Sequence, residues 1–475
     1  MSADPYLVVR TASVYLTVVL IGAAVLWRRP TQRTIAGAVL ATFWNLPALL
    51  LLHVAALRSG WWSFDARGGL LLGMPVDLYL AWACLWGAIP ALAFPNAPLV
   101  RVVGVALAAD LVLMPLAAPV VRLGSSWLVG EAFGLLLALG PGALLGRWTS
   151  QNRCLAGRAA LQVVTFSGLV LLVVPAIVMD ATGSTIANPL TWPAADISIA
   201  AQLLAIPAIV GLTAVQEFAA RGHGTPVPFD PPTRLVTSGI YTYIRNPMQL
   251  SAIVFVMLLG LLLRNPWLAV AGIVAHVYAI GFAGWDEDED LRRRFGGAWT
   301  QYRDNVPRWR PRLRPWHPPE TTPSTLFVAE SCDVCRGVAR WFGERGARHL
   351  VIAPAESHPS GRLRRVTYEA GDGSESTAGV AAIARALEHI HLGWALVGFL
   401  LRLPAVGEFA QLLADASGGQ PRRSHGATAA RTPRRRRPRA RRRSARAPAA
   451  PAAIAWRGRR SPSLTAPRCI ACRRR

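Results

Sequence analysis

The chain has 475 residues, enough for two or three domains, and 52% of them are hydrophobic, with a mean hydropathy of +0.33. No single soluble core explains so much apolar sequence, so much of the chain is expected to lie in lipid. The net charge of +25 suggests a nucleic-acid-binding protein, but 19 arginines and no acidic residue lie between Arg422 and Arg475, which leaves +6 for the rest.

Nine apolar runs predict a mainly α fold, a polytopic bundle of about nine membrane helices. Seven of them approach the length of about 20 residues that a spanning helix needs. They cover 7–27, 35–57, 69–94, 98–121, 127–145, 161–179 and 197–218. Two shorter runs, 248–263 and 266–283, are separated only by Arg264 and Asn265 and predict a tight helical hairpin. The first five runs fall in residues 1–150, to which no role is assigned.

Arginines in the loops predict the orientation, because they are retained on the cytoplasmic side of a membrane. Arg28, Arg153 and Arg221 belong to clusters that follow the first, fifth and seventh runs, all on one side. Three arginines in other loops run against this pattern. The sequence predicts a multi-pass inner-membrane protein with its N-terminus outside and everything after Ala283 in the cytoplasm.

The later part of the chain differs from the bundle. A core membrane region, 151–315, ends in charged sequence with a helical pattern, and the proline-rich residues 316–324 form a linker. Residues 325–416 have the mixed composition of a small globular domain. Residues 417–475 are rich in Arg, Pro and Ala and are expected to be disordered. This tail could bind anionic lipid headgroups or be a solvated extension; no nucleic-acid module accompanies it, so no specific nucleic acid is expected.

The polar segment "RLVTSGIYTYIRNPMQL" lies at the membrane edge, immediately before the hairpin. Gly239 permits a turn that a side chain would obstruct, and Pro247 suits the first turn of the next helix. Arg245 and the free amides at that helix start could hold a carboxylate. Tyr241 and Tyr243 offer flat faces and hydroxyls. The segment therefore has the features of a ligand site.

An acidic stretch follows the hairpin, on the same side of the membrane. Glu287 and Asp288 can face the polar segment, and their carboxylates suit a ligand amine or ribose hydroxyls. Two alternatives stay open. The stretch could be a solvated helix with Asp288–Arg292 and Glu289–Arg293 pairs four residues apart, and the tyrosines could be interfacial anchors.

The order and spacing of these features resemble the membrane methyltransferases of the isoprenylcysteine carboxyl methyltransferase and phospholipid methyltransferase group, over about residues 161–312. The resemblance is carried by "LVTSGIYTYIRNPM", the hairpin, the acidic pair ahead of Leu291, and "FGGAWTQYRDNVPR". It implies S-adenosylmethionine as cofactor, in a cytoplasm-facing pocket over the hairpin. It also implies a lipophilic or small methyl acceptor that enters from the bilayer.

The resemblance also assigns residue roles. Arg245 would steer the acceptor as the catalytic residue, and no protein nucleophile is needed, because the sulfonium already carries an activated methyl group. Asn246 stands where the prenylcysteine branch has histidine, and Gln249 where tyrosine is usual, which points away from a prenylcysteine substrate. The cofactor-binding residues implied are Leu235, Val236 and Thr237 for the adenosine part, Gly239 and Tyr241 for the pocket shape, and Arg245, Asn246, Pro247, Glu287 and Asp288 around the methionine end.

A second motif, "TLFVAESCDVCRGVARWFGERG", places Cys332 and Cys335 between a strand-like run and a helix. A helix N-terminus lowers the pKa of the first thiol and makes it the attacking thiolate, with the second as resolving thiol. The region resembles the DCC family of thiol-disulfide oxidoreductases over about 325–415, which implies a thioredoxin-like α/β domain, these two catalytic cysteines and a thiol partner. Ala329 stands where that family has aspartate. A zinc half-site is the alternative, but no metal site is predicted.

Three carboxylates fall inside apolar runs, where an unpaired charge is costly and marks a functional candidate. Asp77, Asp110 and Glu131 could line a substrate cavity or a proton path, or could be neutral or paired within the bundle. The leading hypothesis is a membrane S-adenosylmethionine-dependent methyltransferase with an appended thiol-disulfide oxidoreductase-like domain. The alternatives are a membrane-tethered oxidoreductase whose helices serve as an anchor, and a transporter-like bundle.

Overall fold

A computed structural model describes residues 4–225, 232–360 and 363–419, without the side chains of 281–287 and 418–419. Helices dominate, and a small α/β domain follows them at the C-terminal side. The predicted arginine-rich tail lies outside the described residues, apart from its first three.

The first 150 residues form a helical bundle with two small sheets. Strand β1 pairs antiparallel with β4, and β2 with β3. The helices are α1 (Pro5–Arg28), α2 (Gln32–Ser59), α3 (Val76–Trp86), α4 (Ala88–Ala93), α5 (Leu99–Leu116), α6 (Trp127–Gly134) and α7 (Gly140–Ser150). The strands are β1 (Trp62–Phe64), β2 (Leu70–Leu71), β3 (Met74–Pro75) and β4 (Val121–Leu123).

The second bundle carries the polar segment. Its helices are α8 (Leu155–Gly168), α9 (Val174–Thr182), α10 (Ala194–Gly222), α11 (Pro247–Leu262) and α12 (Pro266–Asn305). Three residues separate α11 from α12, and the side chain of Asn265 caps α12 by accepting from the amide of Leu268. The predicted hairpin is therefore present. Helix α12 is broken at Gly296, whose φ of 53° and ψ of −126° are not helical.

Within the described residues, seven helical stretches are long and apolar enough to cross a membrane: 5–28, 32–59, 76–93, 99–116, 127–150, 155–182 and 194–222. Two shorter apolar helices, Pro247–Leu262 and Pro266–Ile280, correspond to the predicted hairpin. These helices support a multi-pass membrane protein. The count of nine crossings and the choice of the inner membrane stay predictions.

The three carboxylates within apolar runs do not converge. Asp77 pairs with Arg10 at 2.6 Å, at the start of α3. Asp110 is buried, accepts from Trp86 Nε1 at 3.0 Å and is hydrogen-bonded to the buried Glu131. Trp86, which marks the position of Asp110, lies nine residues after Asp77 on α3, about 13 Å along the helix axis. Asp110 and Glu131 are therefore close together, and Asp77 lies apart from them. This arrangement does not provide the single cavity that a transporter-like bundle would use.

The C-terminal domain has a four-stranded sheet in the order β6-β5-β7-β8. Strands β5 and β6 are parallel and joined by α13, whereas β7 pairs antiparallel with β5 and with β8. The elements are β5 (Ser324–Val328), α13 (Asp333–Glu344), β6 (Leu350–Pro354), β7 (Thr367–Glu369), β8 (Ser376–Ala378), α14 (Val380–Leu387), α15 (Leu392–Arg402) and α16 (Pro404–Ala414). The thioredoxin-like assignment stays a prediction.

This domain packs against the membrane part through a shared apolar cluster. Tyr243 of the polar segment, Tyr302 of α12 and Phe399 of α15 are all buried in it. The predicted linker region takes part in the contact, because the Trp316 amide donates to the carbonyl of Thr242 at 3.0 Å. The domain and the polar segment therefore fold against one another.

Candidate functional site

The polar segment lies between α10 and the end of α12, and most of it is buried. Residues 239–244 are buried, and Gly239–Thr242 form a 3₁₀ turn. Gly239 has a φ of +59°, and a Cβ added there would lie 2.9 Å from Cδ of Glu217. Both the left-handed backbone and this close approach favour glycine, as the sequence predicts.

Glu217 holds this turn in place. Its carboxylate is completely buried and accepts from Ser238 Oγ at 2.6 Å, next to the glycine. The same carboxylate accepts from Arg385 Nη1 at 3.0 Å and from Arg402 Nη2 at 2.7 Å. The C-terminal domain therefore supplies the cations that neutralise a buried acid at the polar segment. The sequence analysis missed Glu217, although a carboxylate near the end of an apolar run was a usable signal.

The two arginines are themselves held by other carboxylates of their own domain. Glu388 accepts from Arg402 Nη1 at 2.8 Å and from Arg385 Nη1 at 3.1 Å, and Glu375 lies 2.7 Å from Arg385 Nη2. Burial acts to lower the pKa of Arg402, but the adjacent carboxylates outweigh it and the pKa is raised. The guanidinium groups therefore remain charged. Glu217, Glu375, Arg385, Glu388 and Arg402 together are called the interdomain ion network.

Arg245 lies at the other end of the polar segment and meets the acidic stretch of α12. Its amide donates to the carbonyl of Pro307 at 3.0 Å, and its guanidinium lies 3.9 Å from the carboxylate of Asp288 and 5.6 Å from the centre of the Trp299 ring. Burial is the main cause that lowers its pKa. The structure therefore brings together the predicted arginine and one member of the predicted acidic pair.

Two buried donors at this point lack acceptors. Arg245 Nε and Trp299 Nε1 have no hydrogen-bond partner within 4–225, 232–360 and 363–419. An unsatisfied buried donor is costly, and the Arg245 guanidinium lies over the Trp299 ring, so an acceptor such as a carboxylate would suit these two side chains. Asp288 beside them suits an ammonium group. This combination fits the amino-acid end of S-adenosylmethionine.

The alternative interpretation of the acidic stretch also has structural support. Asp288 lies 3.6 Å from Arg292, and Glu289 lies 3.3 Å from Arg293, which are the pairs expected of a solvated helix. Asp288 differs from its neighbour because it also contacts Arg245. Glu287 lies in α12, but its side chain is outside the described residues.

The other predicted cofactor residues lie in the same segment and differ in burial. Val236 is buried, whereas Leu235 and Thr237 are half-buried. Asn246 directly precedes α11, which begins at Pro247 as predicted.

The two tyrosines are less available than the sequence suggests. Tyr241 is buried, and its carbonyl accepts from the hydroxyl of Tyr302 at 2.9 Å. The expectation that Tyr243 offers its hydroxyl to a ligand is wrong, because that hydroxyl donates to the carbonyl of Glu388 at 2.8 Å. Tyr243 instead connects the segment to the C-terminal domain.

The cysteine pair has the expected position relative to its helix. Cys332 immediately precedes α13, and Cys335 lies in the first turn of that helix. The pKa of Cys335 is raised to about 11, first by burial and then by its hydrogen bond with the Cys332 thiol. A raised pKa suits Cys335 as the resolving thiol, but redox activity stays a prediction.

The phospholipid methyltransferase family matches residues 196–297, about a fifth of the chain. The match begins in α10, includes the polar segment and α11, and ends at the break in α12. No curated protein and no solved structure matches the chain. The family match supports a membrane methyltransferase for this region and does not extend to the DCC-like domain.

Proposed function

We propose that the protein is an integral membrane methyltransferase that uses S-adenosylmethionine and acts on a lipophilic or small acceptor at the cytoplasmic membrane face. The carrying observation is the meeting of Arg245, Trp299 and Asp288 beside a buried glycine turn. This group lies in and next to the region that the phospholipid methyltransferase family matches. Members of that family generally use this cofactor.

In this proposal, separate groups of residues bind the two ends of the cofactor. Arg245 Nε and Trp299 Nε1 hold the carboxylate of the amino-acid end, and Asp288 accepts from its ammonium group. Leu235, Val236 and Thr237 line the adenosine part. The bound cofactor supplies an activated methyl group, so the protein has to align the acceptor and exclude water.

A thiol-disulfide oxidoreductase-like role for the C-terminal domain is the second part of the proposal. It is supported by the placement of Cys332 at a helix start and by the βαβ unit followed by an antiparallel hairpin. The membrane-tethered oxidoreductase is retained as the competing hypothesis, since the same observation favours it. The two hypotheses differ in whether the membrane part binds S-adenosylmethionine.

The test is calorimetry of S-adenosylmethionine binding to the full chain in detergent. Arg245→Met removes a charged donor and is expected to weaken binding about tenfold or more, whereas Trp299→Phe removes one neutral donor and is expected to weaken it about fivefold. Arg292→Met is the matched control, because Arg292 also contacts Asp288 but is exposed. The proposal fails if the wild type does not bind, or if Arg245→Met and Arg292→Met bind equally well.

A further inference from the structure

A groove of about 760 Å³ lies where the end of α10 meets the C-terminal domain. It is called the interdomain groove. One wall is the membrane helix, and the other is formed by β8, α14 and α16. Its lining includes Gln216 and Ala220 of α10, Thr377 of β8, Arg385 of α14, and Leu412 of α16.

Three buried polar atoms of this groove have no partner within the described part of the chain. They are Gln216 Oε1, Thr377 Oγ1 and Arg385 Nε. The Arg385 side chain is only 5% exposed, and its other nitrogens belong to the interdomain ion network. The amide nitrogen of Gln216 donates to the carbonyl of Arg402 at 3.3 Å, which fixes the position of its oxygen. An acceptor, a hydroxyl and a donor without partners therefore belong to residues that line one groove, and such atoms point to a polar ligand.

The charge of the groove argues against a strongly anionic ligand. Three arginines and four carboxylates lie in or beside it, which gives a formal net charge of 3 − 4 = −1. The arginines are Arg221, Arg385 and Arg402, and the carboxylates are those of Glu217, Glu375, Glu388 and Glu408. A group with donors, acceptors and no net charge is the better match.

The groove adjoins the last turns of α10, a helix apolar enough to span a membrane. Leu212 lies one turn before Gln216 on the same helical face and is exposed. The contact between Gln216 and Arg402 places the turn between α15 and α16 beside the last part of an apolar span. A ligand in the groove can therefore extend along α10 into the bilayer.

Helix α16, which lines part of the groove, has an exposed apolar face. Phe409, Leu412 and Leu413 are 61%, 68% and 53% exposed and are spaced three and four residues apart, on one side of the helix. An amphipathic helix beside a membrane lies in the interface with its apolar face in the headgroup and acyl boundary. Leu412 also lines the groove, so the apolar face and the groove adjoin.

We propose that the interdomain groove binds the headgroup of a zwitterionic membrane lipid while α16 lies in the bilayer interface. The headgroup phosphate accepts from Arg385 Nε and Thr377 Oγ1, and its cationic amine donates to Gln216 Oε1. Glu217 lies between the groove and the glycine turn, so this lipid site is separate from Arg245. The inference does not depend on methyl transfer.

The first test measures lipid retention by native mass spectrometry of the full chain in detergent, with phosphatidylethanolamine and phosphatidylglycerol as probes. The wild type is expected to retain the zwitterionic lipid preferentially. Gln216→Leu and Thr377→Val are each expected to weaken retention about fivefold. Ser376→Ala, one residue away on β8 and outside the groove lining, should retain lipid as the wild type does. Preference for phosphatidylglycerol, or equal retention by all variants, overturns the proposal.

The second test locates the lipid without a substitution. A phosphatidylethanolamine with a diazirine in its acyl chain is incorporated with the full chain in nanodiscs, illuminated, and the labelled peptides are mapped. Labelling is expected on residues 404–414 and absent around Val351, which is exposed on β6 at the far edge of the sheet. Unlabelled 404–414 overturns the placement of α16. Gln216→Leu is expected to bind S-adenosylmethionine as the wild type does. A loss of lipid retention in this variant can therefore be told apart from a failure of the proposed cofactor site.

Discussion

The interdomain ion network makes a quantitative prediction for Arg402→Met. Arg402 donates at 2.8 Å to Glu388 and at 2.7 Å to Glu217, and the variant leaves both carboxylates short of one cation in a buried site. Removal of one partner from a buried ion pair costs about 3–5 kcal/mol. At 3 kcal/mol, the melting temperature of a cooperative unit of about 150–250 residues falls by about 6–12 °C.

The assay is thermal denaturation of the full chain in detergent, followed by tryptophan fluorescence. Arg293→Ala is the control, because its pair with Glu289 is exposed and such surface pairs contribute about 0.5 kcal/mol. The affinity for S-adenosylmethionine should fall as well in Arg402→Met. Glu217 loses a cation in this variant, and its carboxylate accepts from Ser238 in the polar segment that is proposed to bind the cofactor. If Arg402→Met melts at the same temperature as Arg293→Ala, the network does not hold the two parts together.

Three further predictions concern single positions. Gly239→Ala should lower the melting temperature, because a side chain in the left-handed region costs about 1–3 kcal/mol, whereas Gly297→Ala, which has open space around its Cβ, should not. In Cys332→Ser, alkylation of Cys335 at pH 8, mapped by mass spectrometry, should still be slow, because burial is the main cause that raises the pKa of Cys335 and it remains in the variant; fast alkylation would contradict the role of Cys335 as the resolving thiol. Burial and two neighbouring imidazoles lower the pKa of His317 to about 3, so stability should decline as pH falls from about 6.5 towards 3. The loss of stability between pH 7 and pH 5, measured by denaturation, should be smaller in His317→Phe than in the wild type.

Local features of the sequence predict most of the membrane part. Apolar runs of sufficient length give the spans, and the two polar residues Arg264 and Asn265 mark the hairpin that α11 and α12 form. Pro247 begins α11, and Gly239 has the positive φ that its position in a polar turn suggests. These predictions succeed because each depends on a few adjacent residues.

Contacts between distant residues could not be predicted in this way. Glu217 lies 168 residues from Arg385 and 185 from Arg402, and Tyr243 lies 145 residues from Glu388. Nothing near Tyr243 indicates that a carbonyl of another domain accepts from its hydroxyl, so a buried contact was mistaken for a ligand contact. The proximity of Arg245 and Asp288 was predictable, because a short hairpin returns the chain to the same side.

The buried Glu217 has a consequence for how the two parts of the protein are related. A chain that ended before the C-terminal domain would lose Arg385 and Arg402 together, and the carboxylate would remain between α10 and the glycine turn with its principal cations gone. The domain is therefore required for the geometry of the proposed cofactor segment, whatever its thiols do. The cysteines themselves lie at the start of α13, whose apolar side packs on the core formed with β5 and not on the membrane helices. Variants of Cys332 should therefore leave S-adenosylmethionine binding unchanged, whereas variants of Arg402 should not.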